Sequence, residues 1–284
     1  MERTQAYDIF RQAIALADKE IENFTVSHKI GIDRKADRSL VTACDKHIDI
    51  SLTKLFNQHG FKVISEEGPE AIQTAEGGNY VTIDPIDGTG LYIHHVNEAS
   101  QQNSSKSHIA RLGREFDYAL LLGIVEYGKP RFGGTYNYVT GETILIDSKG
   151  AEFMVREREI PIIGKGSNLA QYVESRTSDS VNSRISSQPG VVTIRQADPY
   201  GLRALFAQIN GHESATAVHR AQASGLWDIL PAAVTAQYTG AQILDDKGEP
   251  FRYNAYCIAP GRGISTIFGD KFKWIQEALK KREN

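Results

Sequence analysis

The spacing of apolar residues in the first sixty positions predicts two amphipathic helices. In the first, apolar side chains recur three and four positions apart, the period of one helix face, at Tyr7, Phe10, Ile14, Ala17, Ile21 and Phe24. In the second, which ends at Gly60, the apolar face comprises Ile48, Leu52, Leu55 and Phe56. We interpret the first stripe as core packing rather than as a partner-binding face.

Shorter apolar runs, bounded by turn residues, predict strands through the rest of the first half. These runs cover residues 61–65, 117–127, 131–137 and 142–147. Their rhythm, with Gly128-Lys129-Pro130 as one of the turns, predicts an antiparallel meander and a domain boundary near residue 150. Residues 95–116 are rich in Ser, Asn and Gln, which predicts a mobile loop.

The second half predicts a mixture of strands and helices. Strands are expected at 191–195, 215–219 and 256–260. Helices are expected after three residues that are typical of helix starts, namely Asp198, Asp228 and Asp270. Residues 164–190, rich in Ser, Asn and Gly, give no clear pattern.

Residues 81–94, VTIDPIDGTGLYIH, join the end of a predicted strand to a sharp acidic turn. Pro85 fixes its own φ and biases Asp84 toward an extended backbone, while Gly88 allows a φ that other residues resist. Asp84 and Asp87 are three residues apart, so their carboxylates can meet at one point. Two unpaired carboxylates repel each other, and Mg²⁺, which prefers oxygen ligands, removes that repulsion. A helix that starts after this turn would also present N–H groups to an anion.

Four further acids have both a structural and a functional interpretation. Asp45 lies near the start of the second helix, where the helix dipole favours a carboxylate, and it is also a candidate partner of Thr89 in activating a water. Glu66 and Glu67 directly follow a predicted strand, so they form either a solvated loop or part of the same metal site. Asp228 alone is expected to cap a helix as its N-cap.

Composition and charge exclude several classes of protein. The chain has 284 residues, enough for a large core in one or two domains, and a net charge of −3, which gives no basic field for nucleic acid. Two cysteines form no disulfide framework and fit a reducing compartment, so we expect a cytoplasmic protein. The polar start, MERTQAYDIF, predicts neither a signal peptide nor a membrane span.

Four motifs stand in the order seen in the inositol monophosphatase superfamily, which this chain resembles. They are LVTACD (40–45), SEEG (65–68), DPIDGTGLYIH (84–94) and WD (227–228). That superfamily contains Mg²⁺-dependent, Li⁺-sensitive phosphatases that act on inositol phosphates, 3′(2′),5′-bisphosphate nucleotides, fructose 1,6-bisphosphate or histidinol phosphate. The resemblance implies an α/β (α+β) layered sandwich, with an antiparallel sheet in residues 1–150 and a mixed sheet in residues 151–284. It also implies a homodimer.

The resemblance further implies a role for each residue of these motifs. The metal ligands would be Glu66, Asp84, Asp87, Asp228 and the backbone carbonyl of Ile86. They would hold two or three Mg²⁺ ions, with Mn²⁺ as an alternative. Asp45 and Thr89 would orient and deprotonate the attacking water, with Glu67 as a further catalytic acid. The N–H groups of Gly88 and Thr89 would hold the phosphate.

Three positions depart from the superfamily pattern. Gly90 stands where Thr, Lys or Arg is frequent, Asp198 stands where a Gly-Ser or Gly-Thr segment usually contacts substrate, and Leu230-Pro231 replaces Ala and a small residue. Candidate substrate contacts are Asp198, and also His219 and Arg220, because VHRAQASGLWD (218–228) resembles a segment of bisphosphate nucleotidases. The long 95–116 segment offers further cations that either meet a substrate anion or are solvated: Lys106, His108, Arg111 and Arg114.

The function that these observations favour is Mg²⁺-dependent hydrolysis of a small phosphorylated metabolite by a metal-activated water. A 3′(2′),5′-bisphosphate nucleotidase is the alternative within enzymes, and it depends on the VHRAQ run. A phosphate-ligand binding or regulatory protein with weak turnover is the alternative from another class, because of the three departures. Mg²⁺-dependent turnover separates an enzyme from a binding protein.

Overall fold

The computed structural model describes residues 1–27, 31–35, 40–68, 78–101, 118–154, 170–173, 187, 191–194, 216–220, 225–251, 264–268 and 274–280. Within these ranges the chain forms five helices and three β-sheets. The helices are α1 (Arg3–Ser27), α2 (Ala43–Gln58), α3 (Thr89–Gln101), α4 (Leu226–Thr239) and α5 (Trp274–Lys280). None of these described helices is both long enough and apolar enough to cross a membrane.

Helices α1 and α2 bury the two apolar stripes that the sequence predicts. Residues of both stripes belong to one large core cluster, to which Ile14 and Phe24 contribute as partly buried members. The rings of Phe10 and Phe56 meet edge to face, with centroids 6.5 Å apart. The interpretation of the first stripe as core packing is confirmed. A short antiparallel hairpin of β1 (Ile32–Arg34) and β2 (Leu40–Thr42) precedes α2.

The largest sheet has six strands in the order β3-β4-β5-β6-β7-β8. They are β3 (Lys62–Ser65), β4 (Tyr80–Asp87), β5 (Ala119–Glu126), β6 (Lys129–Asn137), β7 (Thr143–Asp147) and β8 (Gly150–Met154). The β4–β8 pairs are all antiparallel, as the meander predicts, whereas β3 and β4 are parallel. Strand β8 begins at residue 150 and continues the first sheet, and the division of the chain into two domains there stays a prediction.

Successive glycines of β6 show how helices cover both faces of this sheet. Successive residues of a strand point to opposite faces, and here a Cβ on Gly134 would meet Phe10 of α1, whereas one on Gly133 would meet Pro231 of α4. The sheet therefore lies between α1 on one face and α4 on the other. This layering confirms the α/β sandwich that the resemblance implies.

A second sheet of five strands is mixed, as expected. Its order is β10-β9-β11-β13-β12. The strands are β9 (Ala170–Val173), β10 (Val191–Ile194), β11 (Thr216–Arg220), β12 (Gln242–Leu244) and β13 (Ile264–Phe268). The β9–β10 and β9–β11 pairs are parallel and the other two are antiparallel. The predicted strand 256–260, the helix after Asp198 and the Asp270 cap lie outside the described residues.

The predicted loop at 95–116 is wrong in its first part. Residues 95–101 continue α3, because Tyr92 and Val96, one turn apart, are both buried in the main core cluster. This burial stabilises the helix against the local Ser and Asn content. The rest of the segment, with Lys106, His108, Arg111 and Arg114, lies outside the described residues.

Candidate functional site

Strand β4 ends in an irregular turn that presents two acids. Its pairing with β5 shifts register between Asp84 and Asp87, so Pro85 and Ile86 form a bulge. Pro85 has no N–H to donate to the ladder, and the N–H of Ile86 donates instead to Oδ1 of Asp84 at 3.0 Å. Gly88 follows with φ +93°, a left-handed conformation that favours glycine. The chain therefore reverses at once, and α3 starts at Thr89.

Three carboxylates converge at this turn. Asp84, Asp87 and Asp228 each offer a carboxylate oxygen, and these oxygens all lie within 4.8 Å of one another. Asp84 is 2% exposed and Asp228 9% exposed. The sequence separates Asp228 from the other two acids by more than a hundred residues, and α4 brings it to the turn.

The start of α4 determines where Asp228 lies. The helix begins at Leu226 with Gly225 as its N-cap, so Asp228 is the third helical residue and not the N-cap that we predicted. Its Oδ2 accepts the Gly225 N–H at 3.1 Å. The indole of Trp227 lies so close to Gly225 that a Cβ there would overlap it, which explains why glycine precedes the motif. Pro231 falls in the second turn, not the first as predicted.

Mutual repulsion and burial act together on Asp84. Burial is the largest cause that raises the pKa of this carboxyl well above its usual range, and the charges of Glu66, Asp87 and Asp228 raise it further. A side-chain hydrogen bond between Asp84 and Glu66 also raises the pKa of Asp84. The cluster thus favours either a bound proton or a bound cation.

Asp45 both caps α2 and contacts Thr89, because its two oxygens have different partners, and its part in activating a water stays a prediction. Oδ2 accepts the Thr42 N–H at 2.8 Å, and Thr42 Oγ1 accepts the Asp45 N–H at 3.3 Å, which completes a capping box on α2. Oδ1 accepts a hydrogen bond from the Thr89 hydroxyl at 3.1 Å. Asp45 is only 1% exposed, and this burial raises the pKa of its carboxyl against the opposing effect of its hydrogen bonds.

A lysine that our sequence analysis missed pairs with the acids after β3. Nζ of Lys35 lies 2.7 Å from Oε1 of Glu66 and 2.6 Å from Oε1 of Glu67. Burial raises the pKa of Glu67 to about 7, although the contact with Lys35 acts in the opposite direction. Lys35 lies between Arg34 and Ala36 in a mostly polar segment, so nothing in its spacing marks it as a site residue.

Comparison with known proteins identifies the group to which these features belong. A family model described as the inositol monophosphatase family matches residues 2–266. The chain belongs to this family. No match was found among curated proteins.

Solved structures of inositol monophosphatase family proteins share the fold. An IMPase/NADP phosphatase complexed with NADP and Ca²⁺ is 19% identical, with 99% of this chain and 95% of that chain covered and a TM-score of 0.66. CysQ from Bacteroides thetaiotaomicron is 17% identical, with 93% and 97% covered and a TM-score of 0.66. A staphylococcal inositol monophosphatase-1 soaked in LiCl is 18% identical, with 99% and 95% covered and a TM-score of 0.67. At these identities the likeness concerns the fold, whereas membership of the family supports a phosphatase.

The donor set of the inositol monophosphatase family site fits a hard divalent cation. The three converging groups are all carboxylates, which Mg²⁺ and Ca²⁺ prefer over nitrogen and sulfur ligands. Glu66 is not in that converging group, since its carboxylate pairs with Lys35, but it lies beside Asp84. A cation at the cluster would relieve the repulsion that raises the pKa of Asp84.

The structure gives less information about the candidate substrate contacts and about the departure at Gly90. His219 and Arg220 lie at the end of β11, opposite Ser265 and Ile264 of β13, and their contact with substrate stays a prediction. Asp198 lies outside the described residues. Gly90 is exposed, and a Cβ there would meet nothing within 4 Å, so this departure leaves open space beside the start of α3.

Proposed function

We propose that this protein is a Mg²⁺-dependent phosphomonoesterase that hydrolyses a small phosphorylated metabolite in the manner of an inositol monophosphatase. The observation that carries the proposal is the convergence of Asp84, Asp87 and Asp228 next to the hydrogen-bonded pair Asp45–Thr89. Carboxylates that converge at one point can bind a metal ion, and a hydroxyl that is hydrogen-bonded to a buried carboxylate can transfer a proton to it. Metal-assisted hydrolysis of a phosphomonoester by water uses both.

The metal ligands that we propose are Asp84, Asp87, Asp228, Glu66 and the Ile86 carbonyl. When bound, Mg²⁺ would polarise the phosphate and lower the pKa of the attacking water. Lys35 pairs with Glu66 and brings a positive charge beside this proposed ligand. The Ile86 carbonyl lies 3.0 Å from Thr89 Oγ1, so it is an alternative acceptor to Asp45 Oδ1 for the one hydroxyl proton, and its other lone pair is available to a metal.

Thr89 is placed to pass a proton from water to Asp45. Its hydroxyl donates to Asp45 Oδ1 at 3.1 Å, which leaves the lone pairs of Oγ1 able to accept a hydrogen from water. Asp45 is too deeply buried to contact a water in the open site itself, whereas Thr89 is half-buried. The raised pKa of the Asp45 carboxyl makes it a stronger base than an ordinary surface aspartate.

The start of α3 is the proposed phosphate site. The Gly88 carbonyl accepts the N–H groups of Leu91 at 2.7 Å and Tyr92 at 3.1 Å, so the earlier N–H groups of Thr89 and Gly90 have no partner within the helix. Such N–H groups, together with the helix dipole, attract a phosphate. The proposed phosphate site thus comes directly after the turn that carries the proposed metal ligands.

The first test measures phosphate release from a panel of substrates with Mg²⁺ and with Mg²⁺ plus Li⁺. The panel contains inositol 1-phosphate, 3′-phosphoadenosine 5′-phosphate, fructose 1,6-bisphosphate and histidinol phosphate. Li⁺-sensitive release from one substrate supports the proposal and identifies the specificity, and preference for the bisphosphate nucleotide would favour the nucleotidase. Binding of Mg²⁺ and phosphate without release from any substrate would favour the binding-protein alternative. We also propose that the protein is a homodimer and is cytoplasmic. Light scattering tests the homodimer, and cell fractionation tests the location.

The second test replaces one proposed ligand. Asp87→Asn keeps the shape of the side chain but removes its charge, and we expect activity to fall by about 100-fold or more, since even indirect partners of a metal typically cost about 10- to 100-fold. Asp8→Asn is the matched control, because Asp8 is an exposed acid on α1 that pairs with Arg11. Full activity of Asp87→Asn would overturn the assignment.

A further inference from the structure

The hydroxyl of Tyr138 holds the peptide group that lies between the two acids of the β4 turn. It donates to the Pro85 carbonyl at 2.7 Å, and the bond is buried. The same peptide group carries the Ile86 N–H, which donates to Asp84 Oδ1 at 3.0 Å. Because a peptide group is planar and rigid, hydrogen bonds at both of its ends fix its orientation. A single rigid peptide group thus links the hydroxyl of Tyr138 to the carboxylate of Asp84.

This peptide group lacks the support that a regular strand would give it. The pairing of β4 with β5 includes Asp84 and Asp87 but skips the two residues of the bulge. A bulged residue loses its ladder hydrogen bonds, so its orientation depends on side-chain partners. Tyr138 supplies such a partner from a position directly after the end of β6.

The ring of Tyr138 is itself held in place. The ring of Tyr118 stacks on it, with centroids 5.8 Å apart and an interplanar angle of 29°. The ring of Tyr136 meets it edge to face at 5.4 Å. The hydroxyl of Tyr118 in turn lies 2.9 Å from Nδ1 of His95 on α3. These ring contacts support the phenol of Tyr138 in the position from which its hydroxyl donates to the Pro85 carbonyl.

We propose that Tyr138 is a positioning residue of the metal site, which acts on Asp84 through the Pro85–Ile86 peptide group. The inference rests on the proposed function, because it requires Asp84 to be a metal ligand. Without the hydroxyl, the peptide group can rotate within the bulge. The Asp84 carboxylate then loses the N–H that fixes its orientation, and the neighbouring Ile86 carbonyl loses its direction as well. Groups that orient metal ligands typically change metal affinity by about 10- to 100-fold.

The test compares Tyr138→Phe with Tyr136→Phe. Tyr136 lies two residues earlier, is also buried, and its hydroxyl donates to Oδ1 of Asp18 at the same distance of 2.7 Å, but its partner is on α1. Each substitution removes one hydroxyl and one hydrogen bond, which is buried at Tyr138 and partly buried at Tyr136, so a merely structural effect would appear in both variants. We expect Tyr138→Phe alone to weaken Mg²⁺ binding by about ten-fold or more, measured by calorimetry. Thermal unfolding in EDTA should shift similarly for both.

Each outcome decides between distinct conclusions. Mg²⁺ affinity equal to that of the wild type in Tyr138→Phe, or an equal loss in Tyr136→Phe, would overturn this inference while leaving the proposed function intact. Absence of Mg²⁺ binding by the wild-type protein would overturn the proposed function and this inference together. If Tyr138→Phe does not fold, 4-fluorophenylalanine at position 138 keeps the ring and an atom in place of the hydroxyl but donates no hydrogen bond to the Pro85 carbonyl. A lower Mg²⁺ affinity of that folded variant supports the inference, and an unchanged affinity overturns it.

Discussion

Helix α4 approaches the six-stranded sheet so closely that one added methyl group is expected to displace it. A Cβ on Gly123 of β5 would lie 2.5 Å from Cβ of Leu230 and 2.9 Å from Oγ1 of Thr82, whereas ordinary contacts begin at 3.4 Å. In Gly123→Ala the helix must therefore move by about 0.9 Å to restore the first contact. Cβ atoms cannot rotate away, so the backbone must move, and overpacking of this kind costs about 1–3 kcal/mol.

The displacement matters for the metal site because α4 carries Asp228 two residues before Leu230. The carboxylate oxygens of Asp84, Asp87 and Asp228 converge within 4.8 Å, a spacing that one cation can bridge. A movement of about 0.9 Å would withdraw Asp228 from this group. We expect Gly123→Ala to weaken Mg²⁺ binding by about 10- to 100-fold.

Gly134→Ala is the matched control for Gly123→Ala. Its Cβ would lie 2.9 Å from Cδ2 of Phe10, on the face that α1 covers, so it also overpacks the sheet but does not push on α4. Urea unfolding measures the loss of stability, and calorimetric titration with Mg²⁺ measures the affinity. Both variants should lose stability, and only Gly123→Ala should lose Mg²⁺ affinity. Unchanged affinity in Gly123→Ala, or an equal loss in Gly134→Ala, would refute the reasoning.

Three further predictions concern charge, titration and backbone entropy. Lys35→Met leaves Glu66 and Glu67 without their cation; the metal-free protein should therefore melt at a lower temperature, and added Mg²⁺ should raise the melting temperature by more than in the wild type. Burial raises the pKa of the Cys44 thiol from 9.0 to about 12. The unfolded thiol therefore loses its proton first, so the free energy of unfolding falls as pH rises from 9 to 12, and Cys44→Ala should make that fall shallower; equal slopes in chemical unfolding curves would contradict this. Gly90→Ala fills open space in the first turn of α3 and should stabilise the protein by about 0.5–1 kcal/mol, and a lower melting temperature would count against it.

Sequence reasoning was most successful where the chemistry is local. The acidic turn after β4 depends on Pro85 and Gly88, whose backbone restrictions are visible in any sequence. The start of α2 likewise lies near Asp45, as predicted, although the capping box that Asp45 forms with Thr42, three residues earlier, was not predicted. These short-range features predicted where the acids lie along the chain and which elements they follow.

Features that depend on tertiary contacts were beyond the sequence. The role of Tyr138 depends on Pro85, 53 residues earlier in the chain, which no periodicity indicates. The close approach of α4 to β6 at Pro231 depends on Gly133, where a Cβ would lie 3.1 Å from Cα of Pro231. The continuation of α3 past residue 95 depends on burial that overrides local propensity. In each case a long-range contact outweighs the local signal.

The shared carboxylate of Asp45 has a consequence for how this family can evolve. Its Oδ2 completes the cap of α2, so loss of the side chain would cost about 1 kcal/mol of folding free energy even in a protein that had no catalytic task. Selection for a folded chain alone would retain Asp45. The presence of Asp45 in a relative therefore says little about whether that relative turns over substrate, because the helix cap retains this residue in either case.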